Sequence, residues 1–286
     1  MNDTPAISVE HLSLRYGGVT ALDDVTLNVE RGSVLAVVGR NGAGKSSLLQ
    51  CMLGLTVPQS GNSQLLGCPS LALTDEVKAR LGYVSQSPEL FEWLRVGEQI
   101  SLIGGLYPNW SEERARALCV RFSIAEDMKV RTLSLGEKQR LAIVIALAHQ
   151  PDLLVFDEPV ASLDPVGRRD FLRALFEHEA RDGEPMTVVI SSHLLEDLER
   201  IATHVLFLET GRVQLVGGRD ELAERVQLAM TTHTIAPQAG LLKSRQLAAD
   251  EWQHVVDTRA LAEGALPPNT ALRALSLGDL FEALNT

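Results

Sequence analysis

The 286-residue chain is poor in cysteine, in long apolar runs and in basic charge. Its three cysteines, Cys51, Cys68 and Cys119, stand far apart in neither disulfide nor zinc-ligand spacing, which suits a reducing cytosol. The longest unbroken apolar stretch, Leu141 to Ala148, falls far short of the roughly 20 residues that cross a bilayer. The opening MNDTPAISVE has no basic segment followed by an apolar one, so no secretory signal is expected there. A formal net charge of −11 argues against a broad basic face, and no nucleic-acid partner is expected. Any membrane role is therefore expected to run through another chain. What remains is ordinary globular composition, 45% apolar and 22% charged, with length for one large α/β domain and a small extra piece.

Periodicity places the elements. Ile7–Arg15 and Val25–Val29 alternate like half-buried strands on either side of a turn at Gly17–Gly18. Ser33–Val38, Leu153–Asp157, Thr187–Ser191 and Val205–Glu209 are short apolar runs of buried-strand type, and Leu81–Ser85 is a further strand. Helices are expected over Ser46–Leu55, Val96–Leu106, from Ser111 (an N-cap with Glu112 and Glu113 behind it), over Gly136–His149, after Asp164-Pro165, and from about Leu194. Strands alternating with helices predict a mostly parallel, doubly wound sheet with antiparallel N-terminal strands. Residues 87–132 break the alternation and are expected to form a helical subdomain, followed by a helix over 133–149. Beyond Gly217-Gly218 the character changes. An ATPase-type domain over 1–220 and a small α/β accessory domain over 221–286 are expected, the latter with a strand at Val226–Thr232 and a helix at Leu277–Leu284.

The chemistry concentrates at strand ends. Gly39-Arg40-Asn41-Gly42-Ala43-Gly44-Lys45-Ser46 fits G-x-x-x-x-G-K-[ST], directly after a buried strand and before a helix. Its glycines let successive N–H groups curl around phosphate oxygens, and the helix adds its positive end. Lys45 is placed to supply a point charge at the β- and γ-phosphates, and the Ser46 hydroxyl can ligate Mg²⁺. Asp157-Glu158 closes a buried strand at the carboxyl edge, where ligands bind in such sheets. Asp157 is placed to hold Mg²⁺ through water, and Glu158 to polarise an attacking water. His193 lies at the same edge, in position to donate to a γ-phosphate oxygen. Gln86 ends its strand where an amide can bridge Mg²⁺ and the helical insertion. Tyr16 offers a ring for adenine, although a tyrosine beside a turn is as often without a role. Leu133-Ser134-Leu135-Gly136-Glu137 opens a helix with a hydroxyl and a glycine, either as simple capping or as a second phosphate site shared head to tail with another chain. Pro88–Leu94, with four large apolar residues in seven, is expected either to pack inside the helical subdomain or to dock a partner helix through Phe91 and Trp93.

In this order, the motifs closely resemble those of ABC transporter nucleotide-binding subunits, over about residues 6–220. The resemblance implies an ABC-type ATPase core of the P-loop class and two MgATP held between two such chains, in a homodimer or a heterodimer. It implies nucleotide contacts at Tyr16, Gly39, Arg40, Asn41, Gly42, Ala43, Gly44, Lys45, Ser46, Ser47, Gln86, Ser134, Gly136 and Asp164. Metal contacts follow at Ser46, Gln86 and Asp157, and catalytic roles at Glu158, His193 and Lys45. An integral membrane subunit is the implied partner, which places the chain on the cytoplasmic face of a bacterial membrane. Within the family, the Leu-Ser-Leu-Gly-Glu signature and the terminal helix are similar to ABC-2 type exporters of drugs, peptides and lipids. Leu135 and Glu137 depart from the usual Leu-Ser-Gly-Gly-Gln. The competing class is a non-transport ABC ATPase. With only 111 positions from Ser46 to Asp157 and one cassette, the repair, chromosome and translation types do not fit; the iron–sulfur assembly type remains as the alternative.

Overall fold

The computed structural model describes residues 4–176, 185–193, 198–262, 264–268 and 270–285. Strands β1 (Ile7–Tyr16) and β2 (Val19–Val29) form an antiparallel hairpin around Gly17–Gly18. Strand β1 pairs on its other edge with β4 (Ser60–Leu65), which meets the short β5 (Cys68–Pro69), giving the order β2-β1-β4-β5.

The central sheet has six strands: β3 (Val34–Val38), β6 (Leu81–Val84), β7 (Leu153–Asp157), β8 (Thr187–Ser192), β9 (His204–Glu209) and β10 (Arg212–Gly218). Their order is β10-β9-β3-β8-β7-β6, parallel throughout except for the β9–β10 pair. The unbroken apolar run of β3 has a simple cause, since parallel strands of this kind are covered on both faces. Leu35 and Val37 pack on one side with Val155, Val189 and Leu206, together with Leu48, Leu49 and Met52 of α1 (Lys45–Met52) and the N-terminal sheet. Ala36 and Val38 pack on the other with Phe156, Ile190 and Phe207, under α5 (Leu135–Ala148) and α6 (Pro165–Phe176). Each fully buried Val, Leu or Phe contributes about 1.5–3 kcal/mol, so both faces drive the sheet to form.

Between β6 and β7 the chain departs into helices. The short α2 (Asp75–Lys78) precedes β6, and α3 (Val96–Gly104) and α4 (Glu112–Arg121) precede α5. Ser111 caps α4 as expected, its Oγ accepting from the Arg114 N–H at 3.2 Å with Glu112 and Glu113 in the first turn. Helix α5 stops before Gln150, which sits at φ 53° ahead of Pro151.

Past β10 come α7 (Arg219–Arg225), β11 (Val226–Thr231), β12 (Leu241–Ala248), β13 (Glu251–Asp257), β14 (Leu272–Ala274) and α8 (Leu277–Asn285). The four strands make a separate antiparallel sheet in the order β12-β13-β11-β14. The boundary expected at 220/221 falls inside α7. Leu277, Leu280 and Leu284, spaced along one face of α8, join the hydrophobic cluster that contains Val205, Phe207 and Leu228. The helix expected from about Leu194 begins outside the described residues.

Candidate nucleotide-binding and hydrolytic site

The loop from Gly39 to Gly44 connects β3 to α1. Gly44 sits at φ +106°, and a Cβ there would lie 2.4 Å from the Ala21 carbonyl oxygen, so neither the conformation nor the space admits another residue. The turn between β9 and β10 clamps the loop. The Gly211 N–H donates to the Ala43 carbonyl at 2.9 Å, while the Gly211 carbonyl accepts from the Asp23 N–H at 2.9 Å. Arg40, Asn41 and Gly42 are exposed, Ser46 and Ser47 half-buried, and Ala43 buried. The Arg40 guanidinium reaches the Asn285 carbonyl at the end of α8, at 3.4 Å. Lys45 is folded back and buried. Its Nζ donates to the Gly39 carbonyl at 2.8 Å and the Arg40 carbonyl at 3.3 Å, and lies 3.2 Å from Glu158 Oε1.

Strand β7 delivers the two carboxylates. Asp157 is its last residue, and Glu158 bends away at φ +50°, a left-handed conformation that costs a non-glycine residue about 1–3 kcal/mol. The bend seats the Glu158 carboxylate between Lys45 and His193, whose Nδ1 is 2.8 Å from Oε2. Removing one member of a buried ion pair strands the other, at about 3–5 kcal/mol, so Lys45 and Glu158 hold each other in place. One hydroxyl ties the carboxylates together. Ser191 Oγ donates to Asp157 Oδ1 at 2.6 Å and accepts from the Glu158 N–H at 2.9 Å. Sequence reasoning did not select Ser191. The available signal was a polar run, Ser191-Ser192-His193, at the carboxyl end of an otherwise apolar parallel strand.

A cavity of about 680 Å³ adjoins this cluster, with Ser46, Gln86, Asp157 and Tyr83 in its wall. A hydroxyl, an amide oxygen and one carboxylate form a hard-oxygen set, the kind Mg²⁺ takes together with phosphate oxygens. The residues present therefore fit the metal. Burial, and then the charge of Asp157, push the Tyr83 hydroxyl up to about 12.

The structure thus brings Lys45, Asp157, Glu158 and His193 together, with Ser46 and Gln86 on the adjoining cavity. The remaining positions divide between the start of α5 with α6 and the end of β1. Ser134 caps α5, and a Cβ on Gly136 would lie 2.8 Å from the Ser162 carbonyl oxygen, which requires glycine there. Position 135 has no such neighbour: the Leu135 side chain is exposed, so this departure from the usual signature is accommodated without strain. Asp164 accepts from the Gly167 N–H at 2.6 Å and lies 3.5 Å from Arg140 of α5, joining the start of α6 to the signature helix. Tyr16 is exposed at the end of β1, opposite Val19.

Core packing is not the fate of the aromatic pair after Gln86. Trp93 is 74% exposed and Phe91 37%, with ring centroids 5.1 Å apart. Leu90 is the residue that packs against the core, and Leu94 is half-buried. The segment is fixed to the signature helix, because Glu92 Oε1 and Lys138 Nζ are 2.6 Å apart. That contact holds the Glu92 carboxyl below its usual range, chiefly through the hydrogen bond.

A glycine loop between a buried parallel strand and a helix, facing two carboxylates and a histidine, defines a P-loop ATPase. The family model described as "ABC transporter" matches residues 22–161. The chain is similar to the nickel import ATP-binding protein NikO of Rhodobacter capsulatus, 36% identical over 240 residues, covering 79% of this chain and 94% of that one. It is similar also to the Nod factor export ATP-binding protein I of Ralstonia nicotianae, 33% identical over 230 residues, with 78% and 70% covered. Among solved structures, a dimeric ATP-binding cassette in a post-hydrolysis state with ADP and Pi superposes with a TM-score of 0.65. It is 25% identical, and the match covers 74% of this chain and 98% of that one. The chain belongs to the ATP-binding subunits of ABC transporters, a family of ATPases.

Proposed function

We propose that two such chains close head to tail around two MgATP and drive a separate membrane subunit. The observation that carries this reading is the division of the site. Lys45, Asp157, Glu158 and His193 meet in one place, whereas Ser134 and Gly136 stand at the N-terminus of α5, which we read as a phosphate site brought to the first by a second chain. The likeness to a dimeric cassette supports the same arrangement. Ser46, Gln86 and Asp157 would hold Mg²⁺, which neutralises charge on the phosphates when bound. An incoming triphosphate draws Lys45 away from Glu158, because several phosphate charges outcompete a single carboxylate for the ammonium. Glu158, still oriented by His193 and the Ser191 bond to its N–H, then polarises the attacking water. Tyr16 stacks on the adenine, and Asp164 with Arg140 carries contact across the pair.

Phe91 and Trp93 offer exposed aromatic anchors to a short helix of the membrane subunit, beside the cavity that holds Gln86. Among the described residues no helix is long and apolar enough to cross a membrane; we place the chain at the cytoplasmic face through its membrane subunit. Residues 1–220 act as the ATPase domain and 221–286 as an accessory domain, a division supported by a C-terminal sheet whose described strands all lie beyond residue 220. Export is the direction we assign, on the signature, the terminal helix and the likeness to a Nod factor export protein.

Glu158→Gln tests the mechanism. The amide keeps size and hydrogen bonding but cannot serve as the base, so phosphate release should fall by about 10²–10⁴. An ATP-bound dimer should then accumulate in gel filtration. Turnover retained in the variant removes Glu158 from the role, and the absence of any ATP-dependent dimer removes the head-to-tail arrangement. Transport into inside-out vesicles carrying the membrane subunit separates export from uptake, uptake being what the likeness to a nickel import protein would lead to.

A further inference from the structure

The N-terminus of α5 already holds an anion, and the chain itself supplies it. Glu137 Oε2 accepts from the Ser134 N–H at 2.8 Å and from the Ser134 hydroxyl at 2.7 Å. In return Ser134 Oγ accepts from the Glu137 N–H at 3.3 Å. The two residues form a closed capping box. A hydroxyl has one proton, and here it is spent on Glu137. Ser134 therefore cannot donate to a nucleotide phosphate until that bond opens. The carboxylate also sits at the positive end of a 14-residue helix, the position a phosphate of the other chain's nucleotide would need.

We propose that Glu137 is a positioning residue that acts as a built-in competitor for the signature site and raises the ATP concentration at which two chains close. The inference rests on the head-to-tail reading above. Its physical basis is twofold: closure must break a charge-assisted hydrogen bond, and it must bring a triphosphate against a carboxylate. The ionised form is the relevant one. The Ser134 hydroxyl first, then the Ser134 N–H, hold the Glu137 carboxyl below the usual range; burial opposes them, and the charge of Arg140 helps least. Of the basic residues next to it on α5, Lys138 pairs with Glu92 and Arg140 with Asp164. Glu137 thus meets an arriving phosphate with the cation that acts on it, Arg140, shared with Asp164.

Glu137→Gln separates charge from capping. The glutamine oxygen still accepts both bonds from Ser134, so the helix cap and the melting temperature should be kept. In a Glu158→Gln background, where ATP is not consumed, closure is read by gel filtration and light scattering over an ATP series. The ATP concentration for half-closure should fall about tenfold in Glu137→Gln, the equivalent of about 1.4 kcal/mol. Glu137→Ala should melt lower, having lost the cap, and yet close at lower ATP, so stability worsens while closure becomes easier. An unchanged or higher requirement for ATP in Glu137→Gln overturns the proposal. Ser134→Ala and the Glu158→Gln parent distinguish the two levels of failure. If it impairs closure while Glu137→Gln does nothing, only the role of Glu137 falls. If the Glu158→Gln parent itself forms no ATP-dependent dimer, the head-to-tail reading falls with the proposal.

Discussion

Ser191→Ala removes a single oxygen from the interior and should be felt by both carboxylates. The side chain is fully buried between β7 and β8, opposite Asp157 in the strand register. Its loss leaves the Glu158 N–H without an acceptor, at about 1–3 kcal/mol, and takes from Asp157 one hydrogen bond to a charged group, at about 1.5–3 kcal/mol. The two losses share one hydroxyl and do not add in full, so a net destabilisation of about 2–4 kcal/mol is expected. Urea unfolding followed by circular dichroism measures it, as a lower midpoint with an unchanged slope. Glu158 already occupies a left-handed conformation, and the Ser191 bond to its N–H helps to hold it there. Turnover should therefore drop as well, through kcat more than through ATP affinity, since Lys45 and the glycine loop are untouched. A stability change below about 0.5 kcal/mol, the range of ordinary surface substitutions, would refute the reasoning that this hydroxyl organises the site.

Tyr16→Ala should weaken ATP and GTP binding alike by about 1–3 kcal/mol, the scale of base–aromatic stacking, with titration calorimetry as the check; unchanged affinity leaves Tyr16 as a strand-end residue. Trp93→Ala should cost the isolated chain no more than about 1 kcal/mol, the aromatic pair with Phe91 being its main contact, and should leave ATP binding intact. The same variant should fail to pull down the membrane subunit, and a melting point many degrees lower would place Trp93 in the core after all. Tyr83 gives a prediction in alkali. Its folded pKa lies above the unfolded value near 10, so its contribution is fully present below pH 10 and is lost as pH rises towards about 12. Tyr83→Phe should flatten that part of the stability profile, and an unchanged alkaline limb counts against the burial argument. Burial also pushes the thiols of Cys51 and Cys119 up to about 11, with the charge of Glu126 adding at Cys119. Ellman's reagent at neutral pH should accordingly react first with Cys68, and equal rates for all three would contradict the packing around α1 and α4.

Much of the core was legible along the chain. The runs that became β3, β7, β8 and β9 are continuously apolar because each is covered on both faces, and that pattern survives without any knowledge of neighbours. The glycine loop was legible for a similar reason: the curl, the lysine and the following helix are consecutive, so their geometry is local. Helix starts at Ser111 and Asp164 were readable because a cap acts within three residues. The weaker strands were not. β4 reads Ser-Gly-Asn-Ser-Gln-Leu and β12 carries Lys243, Ser244 and Arg245. Neither shows a clear period, because what holds each in its sheet is pairing with a distant partner.

The sequence by itself determined which residue types stand at the carboxyl ends of the parallel strands, and so the class of chemistry. Tertiary structure decided how they meet. The Lys45–Glu158–His193 contact joins three separated stretches of chain, and the Glu158 bend and the Ser191 bridge exist only once β7 lies beside β8. It decided which of two adjacent signature positions needs glycine, since Ser162 crowds residue 136 and leaves 135 open. It decided as well that Phe91 and Trp93 face solvent while Leu90 turns inward. Local spacing reports what a residue can do with its neighbours in sequence; a charge pair, a shared hydroxyl or an exposed ring depends on which distant backbone arrives beside it, and only the folded chain specifies that.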